Sequence, residues 1–207
     1  MNGNVANVPP LTLRTSKDYT LEQYLVREER SLEKHEFFDG KILKMPNAKF
    51  RHNLIATNMS FAIKLALRGQ STRYLVVGDG QKIYIPEENV AIYPDGIVIC
   101  EQPIYYDNHE YLITNPLVVI EVLSRSTQAF DRSSQFDLYK SLPSFKEYLL
   151  IDSRKYAVET RFQVSEELWR IRSMTNKRQS VSIESLGITL TLEDIYDNIE
   201  FPDSKKK

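Results

Sequence analysis

This 207-residue chain contains few cysteines and histidines, and its net charge is close to zero. The single cysteine, Cys100, excludes an internal disulfide and a cysteine-based zinc site, and it favours the reducing cytoplasm. The three histidines are too scattered for a zinc site built on paired histidines. No apolar run approaches the roughly 18 residues of a membrane helix. The polar segment 1–10 is not expected to be a secretory signal.

The net charge of −1 comes from 27 basic and 28 acidic residues. Proteins that bind many phosphates usually have a basic face, so this balance argues against an extended nucleic-acid interface. Basic residues do cluster locally, and each cluster alone is interpreted as a solvated surface. A content of 42% hydrophobic and 27% charged residues predicts a soluble, globular domain with a sizeable core.

The order of helical and strand patterns predicts an α/β fold of the mixed α+β kind, with a central sheet flanked by helices. We expect a loose lead-in over 1–18, a single domain over 19–201 and a disordered tail over 202–207. A capping box at Thr20 opens the first helix, and Asp39-Gly40 is a hairpin turn. The predicted helices cover 20–34, 48–68, 127–141 and 192–196. The predicted strands include 72–78, 82–86, 146–152, 156–163, 168–173 and 186–191, with a polar connection over 102–115.

Two carboxylates stand where core side chains are expected. Asp95 precedes the apolar run 96–99, and Glu121 interrupts the apolar run 116–123. Burial of a lone ionised carboxylate is costly, so it normally requires a cation or hydrogen-bond donors. Two carboxylates on adjacent strands could hold a hard divalent metal such as Mg²⁺. The pair therefore indicates metal-assisted hydrolysis, for which a phosphodiester is the natural substrate.

Each of these residues also has a structural interpretation. Asp95 alone is typical of a turn residue that hydrogen-bonds its own backbone. Glu121 could instead form an ion pair with Arg125 or Arg132. Glu36 is equally consistent with the surface and with a site.

His52, Asp131 and Arg132 leave similar alternatives. His52, which opens a helix, is consistent with a solvated or capping residue and with a phosphate contact or general base. Asp131 and Arg132 are interpreted as a structural pair near a helix start.

An ordered series of motifs extends along most of the chain, over roughly residues 18–165. Upstream it includes Glu36 to Gly40, Arg51-His52-Asn53 and Asp79. Downstream it continues with Pro94-Asp95, Glu121-Val122-Leu123-Ser124, Ser126-Thr127, Asp131-Arg132, Tyr139, Glu147-Tyr148 and Ile151-Asp152. This series resembles the Uma family of the PD-(D/E)xK, restriction-endonuclease-like superfamily. The resemblance implies a restriction-endonuclease-like central mixed sheet and an endonuclease that acts on DNA.

The resemblance also implies a metal site. Asp95 and Glu121 would bind Mg²⁺ or Mn²⁺, and the backbone carbonyl of Val122 would add a third oxygen. Glu36 would contribute a further acidic ligand. A homodimer is implied as well, because two cuts on two strands suit a two-fold axis.

The sequence departs from the family pattern at the catalytic lysine. Leu123 occupies the position two residues after Glu121. The family's alternative position, on the following helix, is Gln135, which can hydrogen-bond a water but carries no charge. Lys82 is a candidate to supply the missing charge. Lys82, His52 and Arg132 are also candidate substrate contacts.

Three functions stay open at this point. The first is a Mg²⁺-dependent DNA endonuclease, and the second is a degenerate relative that binds nucleic acid or a partner protein without cutting. The third is a structural dimer with no role in nucleic-acid binding. Retention on DNA at low salt separates the third from the other two.

Overall fold

The computed structural model of the protein describes residues 18–201. The predicted lead-in, apart from Asp18, and the predicted tail at 202–207 lie outside these described residues. Within them the fold is mixed α+β, which confirms the predicted class. The helices are α1 (Leu21–Glu29), α2 (Phe50–Ala66), α3 (Gln128–Arg132), α4 (Ser134–Lys140) and α5 (Leu192–Ile195). No helix in this range is long and apolar enough to cross a membrane.

Two six-stranded sheets and one hairpin organise the strands. The first sheet has the order β2-β1-β5-β4-β8-β7, the central sheet β12-β11-β10-β9-β6-β3, and β13 pairs with β14. The strands are β1 (His35–Phe38), β2 (Lys41–Lys44), β3 (Tyr74–Gly78), β4 (Lys82–Ile85), β5 (Val90–Ile92), β6 (Gly96–Cys100), β7 (Tyr105–Tyr106), β8 (His109–Ile113), β9 (Val118–Leu123), β10 (Glu147–Asp152), β11 (Val158–Gln163), β12 (Trp169–Met174), β13 (Ser180–Ile183) and β14 (Ile188–Thr191). The sequence predicted one central sheet, and the chain builds two.

The middle of the central sheet is buried on both faces. Strands β9 and β10 run parallel, and β6 runs antiparallel to β9 on the other side. One face packs against α2, α5 and the β13–β14 hairpin, and the other packs against α4 and the first sheet. A strand buried on both faces carries an almost continuous apolar run, so Glu121 on β9 is a polar exception inside the core.

Three predicted elements differ from the structure. Helix α1 ends at Glu29 instead of residue 34, because the following residues lead into β1, which pairs with β2 and β5. The predicted helix 127–141 is interrupted at Ser133, whose hydroxyl donates to the Ala129 carbonyl at 2.6 Å and competes with the helical pattern. The region 102–115 is not an irregular connection, because β7 and β8 form a hairpin there. Asp107 and Asn108 take the left-handed turn positions of that hairpin.

Candidate active site

Asp95 lies where β6 and β9 separate. Gly96 pairs with Ile120, so the next step along the ladder brings Asp95 opposite Glu121. The Asp95 side chain then takes the place of a backbone acceptor, because its Oδ2 accepts the Val122 N–H at 2.7 Å. This contact fixes Asp95 beside β9 and orients its carboxylate along the edge of the apolar core. The predicted proximity of Asp95, Glu121 and Val122 is therefore present.

Glu121 is 7% exposed and receives its hydrogen bonds from α4. Gln135 Nε2 donates to Glu121 Oε1 at 2.8 Å, and the Tyr139 hydroxyl donates to the same oxygen at 3.2 Å. Both donors are neutral, and the expected alternative of an arginine partner is not formed. Arg132 instead contacts Glu159 through its guanidinium, and its carbonyl accepts a hydrogen bond from Arg161 at 2.8 Å. The buried carboxyl group thus lies beside amide and phenol groups, with no cation paired to it among residues 18–201.

Glu36 and Asp131 complete a cluster of four acidic side chains, which we call the acidic cluster: Glu36, Asp95, Glu121 and Asp131. Glu36 is on β1, and its Oε1 accepts the Tyr93 N–H at 3.3 Å. Asp131 is on α3 and is 5% exposed. The Tyr148 hydroxyl donates to the Asp131 carbonyl at 3.1 Å and so holds that turn of α3 over the aromatic side chains beneath it.

The four acidic side chains affect one another electrostatically. Burial raises the pKa of Glu36 to about 8. The hydrogen bond from the Tyr93 backbone lowers this pKa, whereas the charges of Asp131 and Asp95 raise it further. Burial raises the pKa of Asp131 to about 7, with Asp95 contributing in the same direction. Burial and the charges of the other three members hold the pKa of Glu121 well above its usual range. Clustered carboxyl groups without a cation retain protons for this reason.

His52 is the basic side chain in direct contact with the acidic cluster. It lies in the first turn of α2, and its Nε2 is 3.2 Å from Asp95 Oδ2. Burial lowers the pKa of His52, but the hydrogen bond and charge of Asp95, aided by Asn53 and the Val122 backbone, outweigh burial and leave the pKa raised. The other ring nitrogen, Nδ1, is buried and has no hydrogen-bond partner among the described residues.

Lys82 lies outside the acidic cluster. Its ammonium is over the ring of Tyr93 at 4.8 Å from the centroid and within 6.0 Å of the centroids of Tyr24 and Tyr111. Burial lowers the pKa of Lys82, and Glu28 partly offsets that effect. The structure therefore brings Glu36, Asp95, Glu121, Gln135 and His52 together. It directs Lys82 towards aromatic rings and Arg132 towards Glu159.

The side chains around Asp95 and Glu121 could serve as ligands for a divalent cation. No three His, Cys, Asp or Glu side chains of residues 18–201 converge as a complete metal site. Mg²⁺ does not need one, because it usually binds one or two carboxylates, several waters and the phosphate of a substrate. Mutual repulsion within the acidic cluster and the buried, unpartnered Gln135 Oε1 both suit a cation with bound water. The residues present therefore fit Mg²⁺ held by two carboxylates.

Three members of this neighbourhood were not predicted as site residues. Asp131 was interpreted as the partner of Arg132, yet its carboxyl group belongs to the acidic cluster. The available signal was its spacing, because Asp131 precedes Gln135 by four residues and would share its face in the continuous helix that the sequence predicts over 127–141. Tyr139 and Tyr93 were missed as the hydrogen-bond donors of Glu121 and Glu36. Tyr139 belongs to the motif series, but its position there did not indicate a contact with Glu121, and Tyr93 donates through its backbone N–H, for which the sequence gives no signal.

Comparisons with known proteins identify the family and the fold of the chain. The model of the Uma2 family, described as "Putative restriction endonuclease", matches residues 21–193. "Uncharacterized protein sll1609" of Synechocystis sp. is 32% identical over 178 residues, which is 86% of this chain and 99% of that protein. "Uncharacterized protein slr1290" of the same organism is 32% identical over 181 residues, 87% of this chain and 92% of that protein.

A solved structure shares the fold. It is the crystal structure of "a putative nuclease belonging to DUF820" from Anabaena variabilis ATCC 29413, with a TM-score of 0.67. The two chains are 16% identical, and the match covers 86% of this chain and 97% of that one. At this identity the likeness shows the fold alone, whereas the family model spans most of the chain. The chain therefore belongs to the Uma2 family, whose members are described as "Putative restriction endonuclease".

Proposed function

We propose that the protein is a Mg²⁺-dependent endonuclease that hydrolyses phosphodiester bonds in DNA. The observation that carries the proposal is the acidic cluster, four carboxyl groups from three strands or strand ends and one helix with no lysine or arginine paired to Asp95 or Glu121 in residues 18–201. Such a cluster is costly for stability alone, because burial and like charges both oppose ionisation. A bound cation and a phosphate would remove that cost. A DNA substrate also accords with the predicted cytoplasmic location.

Asp95 and Glu121 would hold the cation, with Mn²⁺ able to replace Mg²⁺ and the Val122 carbonyl as a further oxygen. When bound, the cation supplies positive charge to the scissile phosphate and lowers the pKa of the attacking water. Glu36 lies across the cluster from β9 and would bind through a water. Asp95 is held for this role by the Val122 N–H, which orients the carboxylate without neutralising it.

Gln135 would orient the attacking water, and His52 would donate a proton. Gln135 Nε2 donates to Glu121 Oε1 at 2.8 Å, and its buried Oε1 is available to accept a hydrogen bond from the attacking water. His52 Nε2, at 3.2 Å from Asp95 Oδ2, can hold a proton and donate it to a phosphate or leaving oxygen. Lys82 and Arg132, bound to aromatic rings and to Glu159, would approach a substrate only from outside the cluster.

A second function is favoured by one observation, which is the neutral Gln135 at the position of the family's lysine. A glutamine that donates to Glu121 supplies no charge for the transition state. In that case the protein would bind nucleic acid, or a partner protein, without cutting. Both functions require a nuclease fold, and they differ in whether the cluster accelerates hydrolysis.

Cleavage of supercoiled plasmid and of single-stranded DNA, with Mg²⁺ and with Mn²⁺, tests the proposal. Wild type, Asp95→Ala and Gln135→Lys are compared at equal concentration. Asp137→Ala is the matched control, because Asp137 is an exposed carboxylate on α4 that pairs with Lys140. The proposal predicts nicking by wild type and by Asp137→Ala, and loss of nicking in Asp95→Ala.

Two other results would overturn the proposal. Equal nicking by wild type and Asp95→Ala would assign the activity to a contaminant or to another site. No cutting by wild type, with cutting gained in Gln135→Lys, would establish the second function. Retention of wild type on DNA at low salt would then identify nucleic acid as the ligand, since phosphate contacts are strongest there.

A further inference from the structure

The two edges of the central sheet differ in their protection. Strand β12, at one edge, carries Arg170 and Arg172 among exposed side chains, which discourages pairing with another strand. Strand β3, at the other edge, reads Tyr-Leu-Val-Val-Gly with no charge or proline, and its ladder with β6 has no bulge. In the first sheet, the edge strand β2 has lysine at both ends, and β7 has only two residues. Among the edges of the two six-stranded sheets in residues 18–201, β3 is therefore the least protected against pairing with another strand.

The hydrogen-bonding direction of β3 follows from one contact at its start. The Arg73 carbonyl accepts the Glu101 N–H at 2.8 Å, so the polar backbone groups of Arg73 face β6. In an antiparallel ladder this direction alternates with each residue. The N–H and carbonyl groups of Tyr74, Val76 and Gly78 consequently point away from β6, towards the open edge.

The open edge is bordered by an apolar groove. A cavity of about 450 Å³ runs along it and is lined by Lys64, Leu67, Arg68 and residues 74–77. Phe61 and Leu65 are 64% and 50% exposed on α2. They lie on the same helical stripe as Lys64 and Arg68, because residues three and four apart are neighbours on a helix surface. Apolar side chains and unpaired backbone groups therefore share one face of the molecule.

We propose that β3 pairs antiparallel with β3 of a second copy of this chain, across a two-fold axis at Val76. This register uses all three outward-pointing residues, because Tyr74 then pairs with the partner's Gly78 and Val76 with the partner's Val76. It also places Arg73 opposite the partner's Asp79, twice, on the same sheet face. Asp79 follows β3 directly and pairs with Lys34 of its own copy at 2.9 Å, but its side chain is 73% exposed and can accept a second cation. Opposite charges at facing positions stabilise a strand pair, whereas like charges destabilise it. The two central sheets join into one continuous sheet.

The same axis explains the exposed side chains of α2 and relates the two acidic clusters. A two-fold axis perpendicular to the sheet keeps both α2 helices on one face, where Phe61 and Leu65 face their partner copies. Asp95 lies three residues along the strand from the axis, on the next strand of the sheet. With about 3.4 Å per residue and about 4.8 Å between strands, the two Asp95 residues are ~25 Å apart. The dimer rests on the edge geometry and does not depend on the proposed function.

Sedimentation of the full chain over a range of concentrations tests the dimer through charge reversal. Arg73→Asp places two like-charged pairs at the interface and raises the dimer Kd roughly tenfold or more. Asp79→Arg has the same effect at the interface, and it also removes the ion pair of Asp79 with Lys34 within each copy, so Arg73→Asp is the primary test. The double variant restores two opposite-charge pairs and recovers most of the affinity. Arg178→Asp, which makes the same charge change at an exposed residue away from β3, leaves the Kd unchanged.

Amide exchange at Val76 separates a second copy from other occupants of the edge. In the proposed dimer, protection of this amide increases with protein concentration and is lost in Arg73→Asp. A monomer at all concentrations with an unprotected Val76 amide would overturn the proposal. A monomer with a protected Val76 amide would also overturn it, because a segment of the same chain would then cover the edge. A dimer insensitive to both Arg73→Asp and Asp79→Arg would place the interface elsewhere and overturn the proposal.

Discussion

Replacing Asp131 by asparagine separates the charge of the acidic cluster from its shape. Asparagine has nearly the same size but cannot ionise. The variant therefore keeps the contact between α3 and Tyr148 and removes one negative charge. Asp131 is 5% exposed, and burial raises its pKa from the ordinary 3.8 to about 7. The folded protein therefore binds more protons than the unfolded chain between these values. Stability falls with rising pH wherever that is so.

The size of the effect follows from the two pKa values. At a pH where Asp131 is ionised in both the folded and the unfolded protein, it lowers the free energy of unfolding by about 4 kcal/mol relative to low pH. At pH 5 about 2 kcal/mol of that loss is already present, and at pH 8 nearly all of it is. The advantage of Asp131→Asn over wild type should thus grow by about 2–3 kcal/mol between pH 5 and pH 8. For a protein of this size that corresponds to roughly 5–10 °C in melting temperature.

Urea unfolding at pH 5, 6, 7 and 8 in the presence of a chelator measures the difference. The matched control is Asp137→Asn, since Asp137 has a 65% exposed side chain and an exposed lysine partner. Its difference from wild type should stay within about 0.5 kcal/mol at every pH. Removing the Asp131 charge also lowers the pKa of Glu121 and Glu36, because Asp131 is among the causes of both shifts. That coupling adds to the expected growth.

The result that refutes this account is a constant difference between Asp131→Asn and wild type from pH 5 to pH 8. Greater stability of wild type at pH 8 than at pH 5 would refute it equally, because the carboxyl group would then be stabilised as an anion. Either outcome would mean that a positively charged side chain neutralises the acidic cluster in the folded protein. His52 is the nearest such group, and His52→Gln would then abolish the unexpected stability at high pH.

Three further predictions concern the site and its supports. Glu121→Gln should melt higher than wild type at pH 8 without metal and should lose the Mg²⁺-dependent rise in melting temperature; an equal or lower melt would contradict charge repulsion as the cause. Gln135→Lys should lower the pKa of Glu121, so that titration followed by carboxyl NMR moves towards the ordinary range; an unchanged titration would place the new amine in solvent. Tyr196→Phe should cost about 1–3 kcal/mol in urea unfolding, because it removes the acceptor of the Ala157 N–H and the one O–H donor shared by the carbonyls of Asp152 and Ala157; a cost below about 0.5 kcal/mol would show that water replaces the hydroxyl.

The sequence was sufficient for the part of the site that lies on strands. Asp95 and Glu121 each interrupt a short apolar run, and a carboxylate within such a run is conspicuous. Their proximity required only that two strands be neighbours, and β6 and β9 are. Glu36 was predicted from the resemblance, and β1 places it against the Tyr93 backbone. For these three residues on or beside strands, the structure places the side chains close together, as the local pattern and the family resemblance had predicted.

The residues on helices were harder to predict. Asp131 follows Phe130 and precedes Arg132, and an acidic residue beside a basic one near a helix start has an ordinary electrostatic explanation. The structure separates the two because adjacent residues of a helix point in different directions, so Arg132 contacts Glu159 on β11 while Asp131 faces the acidic cluster. A pattern within one segment cannot indicate a partner 27 residues away. The second sheet was missed for the same reason, since strand order depends on long-range pairing.

Gln135 gives the departure from the family pattern a physical meaning. A lysine at this position would place a cation beside Glu121 and keep its carboxyl group ionised at neutral pH. Glutamine donates a hydrogen bond to Glu121 Oε1, as Tyr139 does, and neither brings a charge. The cluster therefore retains protons that must leave before a divalent cation can bind, so under the proposed function cation affinity should rise with pH. With glutamine at this position the charge of the cluster depends on pH, because no permanent cation of residues 18–201 pairs with Glu121.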